Sequence, residues 1–228
     1  MNFFGHAVVA TWRSLEPQFV LGAMLPDFAS MLGVRPPAVR GDALVRGVEF
    51  HHATDRVFHE SHTFHELEHR ARLALRELGL PRSSTLAVAH IGVEMLLDGA
   101  LVEDARGVAG YLSALNGAGA DPKSAPTILW NDDGLAKRFR RLTETLAARG
   151  ISPKMAEPES VAFRVERALA SRPRLRLPEG GEELVRVWAA GAAAGVGKAS
   201  ADVLGEVALG LGLPPGGVEV PSPGLPPG

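Results

Sequence analysis

The sequence of 228 residues has no cysteine, which excludes disulfide bonds, thiolate zinc sites and a cysteine nucleophile. It has no excess of positive charge, since it contains 24 basic and 26 acidic side chains, and we therefore expect no nucleic-acid partner. Long hydrophobic runs are also missing. The longest, 187–197, is well short of the ~20 residues that a membrane span needs, and no basic segment precedes an apolar stretch at the N-terminus. These absences favour a cytoplasmic protein without a membrane span or a cleaved signal peptide.

Strand patterns are scarce, because no segment alternates convincingly between apolar and polar residues. Apolar residues recur instead at helical spacing, and the sequence predicts an all-α fold. One helical domain is expected over 1–212, followed by a disordered Pro/Gly-rich tail over 213–228. A loop is expected over 116–133. Helices are predicted around 8–12, over 19–32, 42–58, 63–78, 83–103, 134–149 and 157–170, and over 182–208.

Local signals place several helix ends. Thr63 followed by Glu66 has the form of a capping box, so Thr63 is the predicted N-cap of its helix. Gly79 is expected to end that helix. The next helix is expected to begin with Ser83 or Ser84 as its cap and to run to about Glu103.

Histidines are concentrated in one segment, since six of the eight lie between His51 and His69. His51, Asp55 and His59 are spaced four residues apart, so they share one face of a continuous helix. Imidazoles and a carboxylate on one face suit a divalent metal ion. A solvated polar face is the alternative, and it is the one we favour for His62, His65 and His69.

A second polar stripe lies on a strongly apolar segment. His90, Glu94 and Asp98 are again spaced four apart. Buried charges are unfavourable unless they are paired or bound to a metal ion, so this stripe also points to a metal site. The alternative is a narrow exposed strip.

Two isolated polar residues follow the same logic. Asp27 follows Pro26 in an apolar stretch, and His6 lies in an apolar N-terminal helix. Asp27 could instead cap a helix, and His6 could be a structural core histidine.

In this order, the polar residues resemble those of the acyl-carrier-protein phosphodiesterases, which have an HD-domain-like helical fold. The resemblance covers about residues 1–190 and is strongest over the first hundred. It depends on Met1-Asn2-Phe3 with His6, Leu21-Gly22 through Leu25-Pro26-Asp27-Phe28, Val45-x-Gly47-Val48-x-x-His51-x-x-x-Asp55, Ile91-x-x-Glu94-x-x-x-Asp98 and Leu169-Ala170-Ser171-Arg172-Pro173-Arg174-Leu175.

The resemblance implies hydrolysis of the phosphodiester that joins phosphopantetheine to an acyl carrier protein, with Mn²⁺ or Mg²⁺ as cofactor. The metal and catalytic residues would converge in space. The predicted metal ligands are His6, Asp27, His51, Asp55, Glu94 and Asp98. The predicted catalytic residues are Asp27, His52 and His59, and an arginine would bind the phosphate, with Arg46, Arg172 and Arg174 as candidates.

The chain departs from the family pattern at four places. His52 replaces an arginine, Glu94 replaces an aspartate, and Phe58-His59 replaces a Thr-Asp pair. Gly99 replaces a histidine, whose role His59, His62 or His90 could fill. A glycine in mid-helix suggests that room is needed beside Asp98, for a substrate group or for His59.

Two other functions remain open. A helical histidine followed by Leu-Pro-Asp also resembles zinc-dependent phospholipase-C-like hydrolases, and imidazoles with carboxylates suit zinc or iron as well. A non-catalytic binding module on the same scaffold is the third reading. A carrier-protein enzyme should have a basic docking patch near its metal site, and a phospholipase an apolar one.

Overall fold

The computed structural model describes residues 1–118 and 127–214. In this part of the chain nine α-helices follow one another, with a 3-10 helix at Pro153–Ala156. The α-helices are α1 (Phe3–Arg13), α2 (Pro17–Met31), α3 (Asp42–Glu60), α4 (His62–Glu77), α5 (Arg82–Ala100), α6 (Ala105–Gly117), α7 (Asp133–Arg149), α8 (Pro158–Leu169) and α9 (Gly181–Gly210).

The all-α prediction is confirmed, with one small addition. Two strands, β1 (Ala38–Arg40) and β2 (Thr127–Leu129), form an antiparallel pair in which Val39 faces Ile128. The expected loop over 116–133 is therefore wrong at 127–129. It is also wrong at 116–117, which belong to α6, and at Asp133, which begins α7. Its residues 119–126 lie outside the described residues. Three residues are too few to show an alternating pattern, so these strands left no readable signal.

Helix α1 lies at the centre of the molecule. All of its residues from Phe4 to Trp12 are buried, and it packs against α2, α3, α5 and α6. Helix α9 covers α4, α5 and α8 from the other side. His6 is thereby held in the interior, one turn from the start of α1.

Two glycines let α2 and α3 cross in contact. A Cβ atom added to Gly47 would overlap the carbonyl oxygen of Phe19 and lie 2.9 Å from the Cα of Gly22. A Cβ on Gly22 would overlap the Leu44 carbonyl oxygen. Only residues without side chains allow this approach, which brings the backbone of α2 against the face of α3 that bears His51.

Three predicted helix ends are wrong. Ser61, not Thr63, caps α4, because its hydroxyl accepts a hydrogen bond from the Phe64 amide at 3.0 Å. Thr63 instead donates its hydroxyl to Glu206 on α9, at 2.5 Å. Helix α5 begins at Arg82 rather than after a serine cap, and it ends at Ala100 rather than near Glu103. The capping-box pattern predicts an N-cap two residues too late in the chain.

The chain after α9 returns to the core. Leu213 is only 7% exposed and belongs to the same hydrophobic cluster as α1, so the predicted start of a disordered tail at 213 is wrong. The rest of the predicted tail, 215–228, lies outside the described residues.

No single helix within 1–118 and 127–214 is long and apolar enough to cross a membrane. Helices α5 and α6 meet the criteria of length and composition only as a pair, and they are bent by 107° relative to each other.

Candidate metal centre

Three donor side chains from three helices meet in the interior. His6 comes from α1, Asp27 from α2 and His51 from α3, and one ligand atom of each lies within 4.8 Å of the other two. We call these residues the inner cluster. The contact between α2 and α3 positions two of its members, and the central helix α1 supplies the third.

The inner cluster has donor atoms without partners. Both ring nitrogens of His6 and Oδ2 of Asp27 are buried and have no hydrogen-bond partner. His51 donates its Nδ1 proton to the carbonyl oxygen of Ala23 at 2.8 Å. A carbonyl can only accept, so Nε2 of His51 keeps its lone pair. Buried polar atoms of this kind are unfavourable unless something binds them.

Burial also sets the charges of the inner cluster. It lowers the pKa of His6 and brings the pKa of His51 down to about 4, so both imidazoles are neutral at pH 7. Burial raises the pKa of Asp27 to about 8. Two neutral imidazoles and a carboxyl group that lacks a counter-charge fit a divalent cation, which would supply that charge.

Asp55 lies beside the inner cluster and is partly exposed. Its Oδ1 is 3.8 Å from Nε2 of His6 and 3.4 Å from Nδ1 of His59. Burial works to raise the pKa of Asp55, but the hydrogen bond with His59 and nearby positive charges lower it. Asp55 is therefore an ionised carboxylate between the imidazoles of His6 on α1 and of His59 on its own helix α3.

A second group of donors lies nearer the solvent. Nε2 of His59 on α3 is 3.3 Å from Nε2 of His90 on α5, and the two rings stack with 6° between their planes. Oε1 of Glu94 is 3.6 Å from the first nitrogen and 3.4 Å from the second. We call these three residues the outer cluster.

Glu94 forms an ion pair with a buried amino group. The amino group of Met1 lies 2.7 Å from its Oε1. Burial would raise the pKa of Glu94, but that amino group and His59 lower it to about 2. Hydrogen bonds with Asp55 and Glu94 raise the pKa of His59 to about 10.

Asp98 lies outside both clusters. It is fully buried, and its Oδ2 is 3.9 Å from the guanidinium group of Arg164 on α8. Burial raises the pKa of Asp98 to about 7. This predicted ligand therefore contacts an arginine. Among the described residues, its carboxylate does not belong to the group of donors formed by His6, Asp27 and His51.

The space beside Gly99 is filled by protein. A Cβ on Gly99 would overlap the Cβ of Ala156 and lie 2.8 Å from its backbone nitrogen. The expectation that this glycine makes room for a substrate or for His59 is wrong, because the 3-10 helix packs there.

The remaining predicted residues lie at the surface. His52 is exposed, and its ring packs edge-on against His51 with 5.3 Å between centroids. Arg46 is exposed and forms ion pairs with Asp42 and Glu16. Arg172 and Arg174 are exposed in the turn that follows α8. His62, His65 and His69 are also exposed, as expected for a solvated face.

Sequence reasoning missed two residues that support these groups. Arg164 pairs with Asp98, and a signal was available, since it is a cation beside Val161 and Val165 on the buried face of α8. Glu68 on α4 lies 3.8 Å from Nδ1 of His90. The latter contact joins two helices, and spacing along the chain does not reveal it.

Both clusters could hold a metal ion, since each offers two imidazoles and one carboxylate. Comparison of the chain with models of protein families, with curated proteins and with solved structures found no match.

Proposed function

We propose that this protein is a metal-dependent phosphodiester hydrolase whose inner cluster holds a divalent cation. The observation that supports this most is the set of buried donor atoms without partners on His6 and Asp27, next to the oriented imidazole of His51. These three atoms lie on two helices, and core packing alone is a poor explanation for them, because each one loses its hydration without a compensating bond.

The donor set narrows the choice of metal. The family resemblance implies Mn²⁺ or Mg²⁺, but Mg²⁺ prefers an all-oxygen shell. Imidazole suits zinc, iron and other transition metals, while carboxylate suits manganese. Two imidazoles with Asp27 therefore favour Mn²⁺ over Mg²⁺, with Zn²⁺ and Fe²⁺ as alternatives.

A divalent cation at this place would make a bound water more acidic and would offset charge on a phosphoryl group. His51 would bind that cation through Nε2, because the carbonyl of Ala23 fixes the ring and keeps the proton on Nδ1. Asp55, an ionised and partly exposed carboxylate beside the inner cluster, is the proposed acceptor of a proton from the attacking water. A new P–O bond then forms to the water oxygen as the ester P–O bond breaks, and the leaving oxygen takes a proton. His52, exposed and outside both clusters, is the proposed proton donor.

The proposed substrate is the phosphodiester between phosphopantetheine and an acyl carrier protein, as the resemblance implies. The histidine content of both clusters favours a second candidate, a zinc-dependent phospholipase-C-like hydrolase. The two candidates are distinguished by comparing hydrolysis of a phosphopantetheine-bearing carrier protein with hydrolysis of phospholipid in mixed micelles.

The test of the core proposal combines metal analysis with a generic assay. The purified protein is stripped with a chelator, reloaded with Mn²⁺, Zn²⁺ or Mg²⁺ and assayed on bis(p-nitrophenyl) phosphate. We expect Mn²⁺-dependent hydrolysis in the wild type and loss of both bound metal and activity in His51→Gln. His62→Gln is the matched control, because the side chain of His62 is 83% exposed.

Three results would count against the proposal. A protein that binds no divalent metal would exclude it. One that binds metal but hydrolyses none of these phosphodiesters would be the binding module considered above. Activity that persists in His51→Gln would place the reaction elsewhere.

A further inference from the structure

We propose that the outer cluster, formed by His59, His90 and Glu94, is a second divalent metal site. The inference rests on the proposed function and makes the enzyme a two-metal hydrolase. Two-metal sites are a recurrent solution for phosphoester chemistry, because the ions can stabilise the attacking and the leaving oxygen together.

The donor atoms of the outer cluster converge on one point. The two Nε2 atoms are 3.3 Å apart, and both lie within 3.6 Å of Oε1 of Glu94. Glu94 is buried, whereas the rings of His59 and His90 are each 36% exposed. The site is thus open to solvent on its imidazole side and closed behind its carboxylate.

Oxygen atoms lie behind both imidazoles of the outer cluster, within hydrogen-bond distance for His59 but not for His90. Nδ1 of His59 lies 2.8 Å from the carbonyl oxygen of Asp55 and 3.4 Å from its carboxylate. Nδ1 of His90 lies 3.8 Å from the carboxylate of Glu68. Metal-bound histidines usually have such an acceptor on the other ring nitrogen, which keeps the proton there and fixes the ring.

The three donor atoms need positive charge among them. In the metal-free protein a proton on His59 and the amino group of Met1 supply that charge. With both imidazoles neutral and a proton on each Nδ1, both Nε2 atoms become acceptors that point at each other and at the Glu94 carboxylate. A divalent ion that displaced the His59 proton would bind all three atoms, whereas one proton satisfies only two.

The charges around the outer cluster also favour a cation. Two further carboxylates, those of Asp55 and Glu68, lie beside its own Glu94, and both the amino group of Met1 and the imidazole of His59 contact Glu94. That amino group is the rival occupant. If it is the only cation that the cluster accepts, the protein will bind one metal ion per chain.

The test counts metal ions. Stripped protein is titrated with Mn²⁺ by calorimetry, and the metal content after dialysis is measured by mass spectrometry. We expect two ions per chain in the wild type and in His62→Gln. We expect one ion in His90→Gln and in His59→Gln. Glu68→Gln should keep both sites but bind the second ion about 10–100-fold more weakly.

The possible failures are distinguishable. One ion in the wild type, lost in His51→Gln and retained in His90→Gln, would overturn the second site and leave the proposed function standing. Two ions that persist in both His90→Gln and His59→Gln would also overturn it. No metal in the wild type would overturn both proposals. Circular dichroism of each variant identifies any that fails to fold, and the two histidine variants provide independent tests.

Discussion

Replacing Gly47 with alanine tests whether the crossing of α2 and α3 builds the inner cluster. The new Cβ would overlap the Phe19 carbonyl oxygen and lie 2.9 Å from the Cα of Gly22. Carbon atoms prefer a separation of about 3.5–4.0 Å, so the helices must move apart by roughly 1 Å. The movement draws His51 away from the carbonyl of Ala23.

The magnitude follows from two opposing effects. Overpacking lowers the free energy of unfolding by about 1–3 kcal/mol, and the better helix propensity of alanine raises it by up to about 1 kcal/mol. We expect a net loss of roughly 1–2 kcal/mol, which lowers the Tm of a chain of this size by about 2–8 °C. The affinity for Mn²⁺ should fall as well, because the inner donors no longer meet.

Thermal unfolding with and without Mn²⁺ measures both effects. Gly191→Ala on α9 is the matched control, because a Cβ at that position meets no atom within 4 Å. It should stabilise the protein by about 0.5–1 kcal/mol and leave Mn²⁺ affinity unchanged. If Gly47→Ala retains the Tm and the affinity of the wild type, the glycine contact does not position the cluster.

Three further predictions concern pH, the C-terminus and metal binding. Asp27 and Asp98 have pKa values raised to about 8 and about 7 from an ordinary 3.8, so the folded state binds protons that the unfolded state does not. The free energy of unfolding of the metal-free protein should therefore fall from pH 6.5 to pH 8, and less steeply in Asp98→Asn; urea titrations that show it flat or rising would contradict this. Leu213→Ala should lower the free energy of unfolding by about 2–5 kcal/mol. Leu209→Ala, at a residue 81% exposed, should change it by less than about 0.5 kcal/mol. Equal effects of the two substitutions would show that Leu213 does not pack against the core. Mn²⁺ at 100 times its Kd should stabilise the wild type by about 2.7 kcal/mol and raise the Tm by roughly 5–11 °C, and a chelator should reverse the effect. An unchanged Tm would argue against a metal site that exists only in the folded state.

Most of the helices could be predicted from the sequence because their signal is local, although α6 was not among the predicted helices. The spacing of His51, Asp55 and His59 fixes their shared face once α3 is a helix, and the structure keeps that register. Helix ends were less predictable. Ser61 and Thr63 are both good caps, and the later one also fitted a capping box, so the sequence pattern favoured the wrong residue.

Contacts between helices could not be predicted from the sequence in this way. His90 and Glu94 share a face with Asp98 in the sequence, yet the first two meet His59 while Asp98 meets Arg164. The direction of α8 decides that outcome, and α8 is sixty residues away along the chain. For the same reason Gly99 suggested a cavity, although the backbone of Ala156 fills the space.

The distribution of donors along the chain has a consequence for biosynthesis. The inner cluster is complete once residue 51 has left the ribosome, and its three helices are consecutive. The outer cluster also needs Glu94, which is synthesised more than forty residues later. Chains grow from the N-terminus at about 5–20 residues per second, so the nascent protein exposes the inner donors for several seconds before the outer ones exist. If both clusters bind metal as proposed, an ion would therefore reach the inner donors before the outer ones exist.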